Sequence, residues 1–459
     1  MEMSNTVSVP AEITRESKVQ WMSKNMNRFC VLPWLNLHTS PNGNIKLCCS
    51  IQYNSFVNDE SEEPFNFGRD PIEKIWNSKF MDNVRKLHRS NVGAHACGEC
   101  YNVEKISGHS PRMGQNDEWL RRKEKDGFTS EVVDNIANEE VSELDYLPIS
   151  LELRLGNLCN LQCVTCYAMS SSPIYDERAN LINSGAVDSS ELSWLKKVWQ
   201  GEKNDVDKTD VKNWYETDIF YENFRKIAPK LKRLYTTGGE PTLIKANYKM
   251  MQMLLDAGNT DCAIEFTSNM TTWNYEFYSR LEKFKNVEIQ MSLDGVGEVG
   301  EYIRYPSDLS RVKENIMKAV ELASIKPNWK IKCYTVLQVL NFRQLVPIWE
   351  LLREAADTHC KHIDWWPITL YSPPFLALST VPMETRMGWL KEFKLMAAEF
   401  NSKVSYFRIN HSTMNPCIDS IKTPEYDPEL HEKLKQYITV LDKSRSLKGM
   451  ELFKTELSL

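Results

Sequence analysis

Residues 149–167 read ISLELRLGNLCNLQCVTCY. Ile149, Leu151, Leu153 and Leu155 alternate with Ser150, Glu152 and Arg154, the period of two of a half-buried strand. After Gly156 the loop carries Cys159, Cys163 and Cys166 in a C-x3-C-x2-C spacing. In barrel enzymes the loops at the carboxyl ends of the strands carry the chemistry. Three thiolates on so short a loop can hold three corners of a cubane 4Fe–4S cluster. The spacing offers no fourth cysteine, so one iron is left open for an exogenous ligand, much as catalytic zinc sites keep an open position. A partial zinc site is the alternative, but zinc knuckles prefer pairs of C-x2-C.

Downstream, strand patterns recur at 232–236, 262–267, 287–293, 330–337 and 362–366, with helical patterns between them such as 243–257. With the first strand this makes six, and alternating strand and helix implies a parallel α/β sheet. The expected fold is a partial (β/α)6 barrel of the TIM type over 148–370. An insertion at about 170–228, charged around 200–213, separates its first two strands. Extra material in one such connection often covers or lines the active site. Short motifs stand at the strand ends: Thr237-Gly238-Gly239-Glu240-Pro241, then Thr267-Ser268-Asn269, then Ser292-Leu293-Asp294-Gly295, with Arg304 following. Glycines let a backbone approach a ligand, and a carboxylate accepts from an ammonium.

In this order, with aromatic Tyr167 after the triplet, the motifs resemble the radical S-adenosylmethionine (radical SAM) superfamily. The resemblance implies that the open iron on Cys159, Cys163 and Cys166 binds the amino and carboxylate groups of S-adenosylmethionine. It further implies that Tyr167, Gly238, Gly239, Glu240, Ser268, Asn269, Ser292, Asp294 and Arg304 line the cofactor. Within that set, Glu240 takes the ammonium and Arg304 the carboxylate. One electron, supplied by a flavodoxin- or ferredoxin-type donor, would split the sulfur–C5′ bond. The resulting 5′-deoxyadenosyl radical would abstract hydrogen from substrate, the hard chemistry being the cofactor's.

Residues 1–110 hold a second cysteine group. Cys30 is followed after twelve residues by Gly43, then after four more by Cys48, and later by Cys97-x2-Cys100. This resembles the twitch or SPASM auxiliary-cluster module in its shorter, one-cluster form, placed here before the barrel rather than after it. The resemblance implies an auxiliary 4Fe–4S cluster on Cys30, Cys48, Cys97 and Cys100. Cys49 is an extra neighbour, and the G-x4-C spacing favours Cys48. A four-cysteine zinc site is the alternative. His38 and His95 read as surface or turn residues. The module also signals one helix, with Asp70 as cap, Pro71 in the first turn and Glu73 completing a capping box. Its apolar face runs Ile72, Ile75, Trp76, Phe80, Val84 and Leu87. Residues 111–147 read as helix plus linker.

The whole chain has 459 residues, 42% hydrophobic and 26% charged, with a formal net charge of −6. That is a globular balance, and it excludes a generally basic, nucleic-acid-coating protein. A nucleic-acid substrate is accordingly disfavoured. No run approaches the ~18 apolar residues of a membrane span, and the first 26 residues lack the apolar core of a secretory signal. The expectation is cytoplasmic. Cys262, Cys333, Cys360 and Cys417 read as ordinary buried thiols. Residues 371–459 read as a helical extension with an apolar stripe of Leu430, Leu434, Tyr437, Ile438 and Leu441. Trp365, Trp366, Tyr371 and the insertion's Trp194, Trp199, Trp214 and Tyr215 fit packing better than a binding surface. An auxiliary cluster in such a family points first to a peptide or protein side chain as substrate. Second comes dehydrogenation of a small hydroxylated metabolite.

Overall fold

The computed structural model describes residues 14–51, 55–126, 130–138, 143–209, 211–370, 372–400, 406–409, 417–419, 421–422 and 425–454. The chain divides into two compact units, one of Met1–Gly156, Val211–Thr236 and Lys249–Cys262, the other of Asn157–Asp210, Thr237–Tyr248 and Ala263–Leu459. Tyr371 lies outside the described residues.

The first unit opens its sheet with β1 (Asn36–Thr39) and β2 (Ile45–Lys46), an antiparallel pair. The turn between them needs Gly43, whose φ is +84° and where a Cβ would meet the Trp214 ring at 2.5 Å. β1 runs parallel to β3 (Ser150–Arg154), and β4 (Arg233–Thr237) lies beside β3. β1 escapes sequence reading because its four residues are all buried, polar ones included, and show no alternation. It overturns the surface reading of His38. Parallel pairing sets His38 in register with Glu152, buried, with its Nδ1 3.3 Å from Glu152 Oε1. His95 is exposed, as expected.

The single helix expected after Asp70 is two, Ile72–Trp76 and Lys79–Arg89. Asn77 ends the first by exchanging two hydrogen bonds with the Leu144 backbone, both 3.0 Å. Ser78 then caps the second, accepting from the Met81 N–H at 3.3 Å. Asp70 does not cap. Its carboxylate accepts from the Asn66 N–H at 2.8 Å, and the Ile72 N–H goes instead to Asn223 Oδ1 at 2.8 Å. The 111–147 segment forms the helices Pro111–Asp126 and Ser130–Ala137.

The second unit holds five strands in sequential order, β5 (Ala263–Ser268), β6 (Val287–Ser292), β7 (Lys330–Leu337), β8 (Ile363–Thr369) and β9 (Phe407–Ile409), parallel throughout. All six expected strands are therefore present, each within three residues at either end. Their register puts Phe266, Ile289, Ile331 and Ile363 on one fully buried face. Thr267, Ser292, Tyr334 and Trp366 share the opposite, half-buried face. A strand fully buried on one side and half-buried on the other must alternate in this way. Trp199, Trp214, Tyr215 and Trp365 are buried packing residues. The C-terminal region is helical, with Met383–Phe400, Pro428–Arg445 and Gly449–Leu452. On Pro428–Arg445 the stripe of Leu434, Tyr437, Ile438 and Leu441 is buried. Cys262, Cys333 and Cys417 are buried, whereas Cys360 is exposed, contrary to expectation. It follows the helix Leu345–Thr358 with a φ of +49°, in a surface turn rather than in a strand.

Candidate cofactor and metal sites

Between Leu155 and Tyr167 the second unit's cysteine loop has no helix or strand. Its backbone groups are satisfied from outside instead. The Glu240 N–H donates to the Leu158 carbonyl at 2.8 Å, and the Val164 N–H to the Ile303 carbonyl at 2.9 Å. Ser171 Oγ bonds the Leu161 carbonyl at 2.6 Å, and Arg178 Nη2 the Cys166 carbonyl at 3.0 Å. The close approach of Leu158 is possible only because residue 239 is glycine. Its φ is +56°, and a Cβ there would lie 2.1 Å from the Leu158 oxygen. Gly238 is also left-handed, at +83°.

Glu240 is 1% exposed. Its Oε1 accepts from Thr242 Oγ1 at 2.7 Å, Ser268 Oγ at 2.9 Å and the Thr242 N–H at 3.2 Å, and its Oε2 from the Asn269 N–H at 2.7 Å. Burial pushes the carboxyl above its ordinary value, and these donors pull it back. Among the described residues no cation pairs with it. Asn269 links this carboxylate to the cysteine loop: its Nδ2 donates to Asn160 Oδ1 at 2.9 Å and points at Cys159 Sγ from 4.0 Å.

Asp294 and Arg304 are paired at 2.6 Å, both largely buried. Burial opposes the Arg304 charge, but Cys163 and Asp294 outweigh it and raise the guanidinium above its usual value. Asp294 also accepts the Val336 N–H at 2.8 Å. Ser292 ends β6 two residues earlier, and Tyr167, directly after Cys166, is half-buried.

Burial, then Cys163, pushes the Cys159 thiol up to about 12. The same two causes push Cys166 up to about 11, and burial raises Cys163. Cys163 thus acts on both of the other thiols of the loop. Thiols so raised lose their protons to solvent only when something strongly cationic binds the thiolates. A three-thiol loop beside a buried carboxylate that lacks a cation fits an iron–sulfur cluster whose open corner carries an ammonium-bearing ligand. Among the described residues, no three His, Cys, Asp or Glu side chains converge closely enough to hold a single metal ion.

In the first unit Cys30, Cys48, Cys97 and Cys100 form the other group. Burial, then Cys97, raises Cys30, with Cys100 adding to it. Cys48 is raised by burial and by Cys49, Cys30 and Cys97. Burial, then Cys100, pushes Cys97 up to about 11. Cys49 turns to Ser50 and Glu152 instead. Sequence reading missed the groups around this cluster of thiols. Arg112 bonds the Phe29 carbonyl and pairs with Glu104 at 2.8 Å. Buried His88 meets the Arg28 carbonyl through Nδ1 at 2.7 Å, and its Nε2 lies 3.7 Å from Cys97 Sγ. No local spacing joins these residues to the cysteines.

Residues 153–373 match the family model described as the radical SAM superfamily, and residues 30–101 that of the SPASM iron-sulfur cluster-binding domain. The sporulation killing factor maturation protein SkfB of Bacillus subtilis (strain 168) is 25% identical over 201 residues, 44% of this chain and 39% of SkfB. The match thus spans well under half of that relative. Among solved structures, Streptococcus suis SuiB bound to precursor peptide SuiA is 13% identical over 71% of this chain and 65% of SuiB, with a TM-score of 0.34. Native anSMEcpe with bound AdoMet is 15% identical over 57% of this chain and 64% of its own, with a TM-score of 0.34.

Proposed function

The chain is a member of the radical SAM superfamily with a SPASM domain in its N-terminal region, and from that premise we propose that it modifies a peptide or protein side chain, beginning with hydrogen abstraction. The observation that carries the cofactor half is Glu240, a buried carboxylate with four protein donors and no cation among the described residues. An ammonium group supplies the missing charge. Cys159, Cys163 and Cys166 would hold the cluster, and Cys30, Cys48, Cys97 and Cys100 the auxiliary one. When bound, the cluster supplies the electron that opens the sulfur–C5′ bond of S-adenosylmethionine.

The chain's own part is placement. Gly238 and Gly239 let the backbone close on the Leu158 peptide, and Asn269 ties Glu240's surroundings to the cysteine loop. Arg304, held by Asp294, keeps a cation beside Cys163 and faces the ligand's carboxylate in this reading. The peptide half is supported by the maturation protein SkfB among the relatives. Reduced, anaerobically reconstituted protein with S-adenosylmethionine is to be incubated with short peptides encoded beside its gene. The expected result is peptide-dependent 5′-deoxyadenosine with a mass change in the peptide. Turnover on small hydroxylated metabolites, with none on peptides, overturns the peptide half.

A further inference from the structure

The cysteine loop, lacking secondary structure of its own, depends on what packs against it. One such support lies far outside the superfamily's motifs. The Tyr437 hydroxyl, on the helix Pro428–Arg445, donates to the Val164 carbonyl at 2.9 Å across 273 residues of chain. Val164 is the residue after Cys163. Tyr437 is itself buried, against Phe375 at 4.9 Å and Trp199 at 6.4 Å between ring centres. About two turns further along, Arg445 is 8% exposed. Its Nε and Nη2 donate to the two oxygens of Glu177 at 2.8 and 2.7 Å. The third nitrogen, Nη1, is buried without a hydrogen-bond partner. The guanidinium lies 5.1 Å over the ring of Tyr305, whose carbonyl accepts the Gln162 N–H of the cysteine loop. The cation thus lies against the residue whose carbonyl holds Gln162, the neighbour of Cys163.

We propose that the C-terminal helix is a working part of the cysteine-loop site, with Tyr437 positioning the Val164 peptide and Arg445 setting a buried cation against Tyr305, the residue that holds Gln162 next to Cys163, where it favours electron uptake. A cation in a water-poor site stabilises the more negative, reduced state of whatever the thiols hold. A packing role alone has no such effect on potential. The inference rests on the reading that the loop holds an iron–sulfur cluster.

The test uses the full chain, reconstituted anaerobically, with Tyr437→Phe, Arg445→Lys and Arg445→Met. Iron content, midpoint potential and the reduced-state EPR spectrum are measured with and without S-adenosylmethionine, the responsive signal identifying the loop's cluster. Iron should be retained throughout. Arg445→Met should lower that cluster's potential, and Arg445→Lys should return it toward the parent value. Tyr437→Phe should alter the responsive signal and slow cleavage of S-adenosylmethionine roughly tenfold, the rate equivalent of one hydrogen bond. If Arg445→Met misfolds through its stranded carboxylate, Glu177→Gln/Arg445→Met replaces it. Unchanged potential and spectrum in these variants overturn the proposal. Iron uptake by the parent protein with no signal responsive to S-adenosylmethionine would instead sink the cluster reading beneath it.

Discussion

Two carboxylates show how differently the fold can treat one residue type. Glu240 is buried among neutral donors, with no cation beside it among the described residues. Glu240→Gln should therefore keep the iron content and weaken S-adenosylmethionine binding by about 2–3 kcal/mol, the scale of a charged hydrogen bond. Equilibrium dialysis against the parent protein measures this, and equal affinity would remove Glu240 from the pocket. Glu152 sits instead beside His38 and Arg233. Burial pushes its carboxyl up, but His38 and Arg233 outweigh burial and hold it below the ordinary 4.5. A carboxyl lowered by folding stabilises the protein fully above its unfolded value and loses that contribution as the pH falls through the folded one. The stability gap between the parent and Glu152→Gln should accordingly be widest above the ordinary carboxylate range and shrink as the pH falls through and below it. Denaturant melts across that range read it, and a gap independent of pH would mean that the pair contributes nothing.

Local signals carried most of the element-scale reading. The six strands announce themselves by period, and the glycine turn after β4 and the cysteine loop after β3 occur where such turns are expected. The break at Asn77 does not, because helical apolar spacing continues through it while the Asn77 amide is drawn to Leu144. Asn223 is the corresponding missed support. Buried in the helix Asp218–Ile227, it receives the Ile72 N–H and donates to the Phe67 and Asp70 carbonyls at 2.9 and 2.8 Å. Asn223→Ala strands three buried backbone groups at once. It should cost about 2–4 kcal/mol of stability, visible as a lower denaturation midpoint. A loss below about 0.5 kcal/mol, the range of ordinary surface changes, would show that water takes its place.

Each compact unit carries one of the two cysteine groups. Fully loaded protein should hold about eight irons if both groups take 4Fe–4S clusters. Replacing Cys159, Cys163 and Cys166 with Ala should remove about half of them and abolish S-adenosylmethionine cleavage. Replacing Cys97 and Cys100 should remove the other half and leave slow 5′-deoxyadenosine formation, with circular dichroism controlling for collapse of the module. Cleavage that survives the triple change would end the radical reading, and one zinc in place of auxiliary iron would end an electron-transfer role for the first unit.

What the chain's order of residues settled by itself was everything encoded within a few positions: the thiol spacing, the glycines before Glu240, the alternation of the strands. Those features follow from covalent geometry and from periods of two and 3.6, which any segment carries with it. Tertiary structure alone decided that His38 is buried against Glu152, that Asn223 caps a distant helix, that Tyr437 reaches the cysteine loop and that Arg445 pairs with Glu177. Their partners lie 114, 151 and more than 260 residues away. No periodicity spans such distances. Only packing, which must satisfy each buried donor and charge, brings them together.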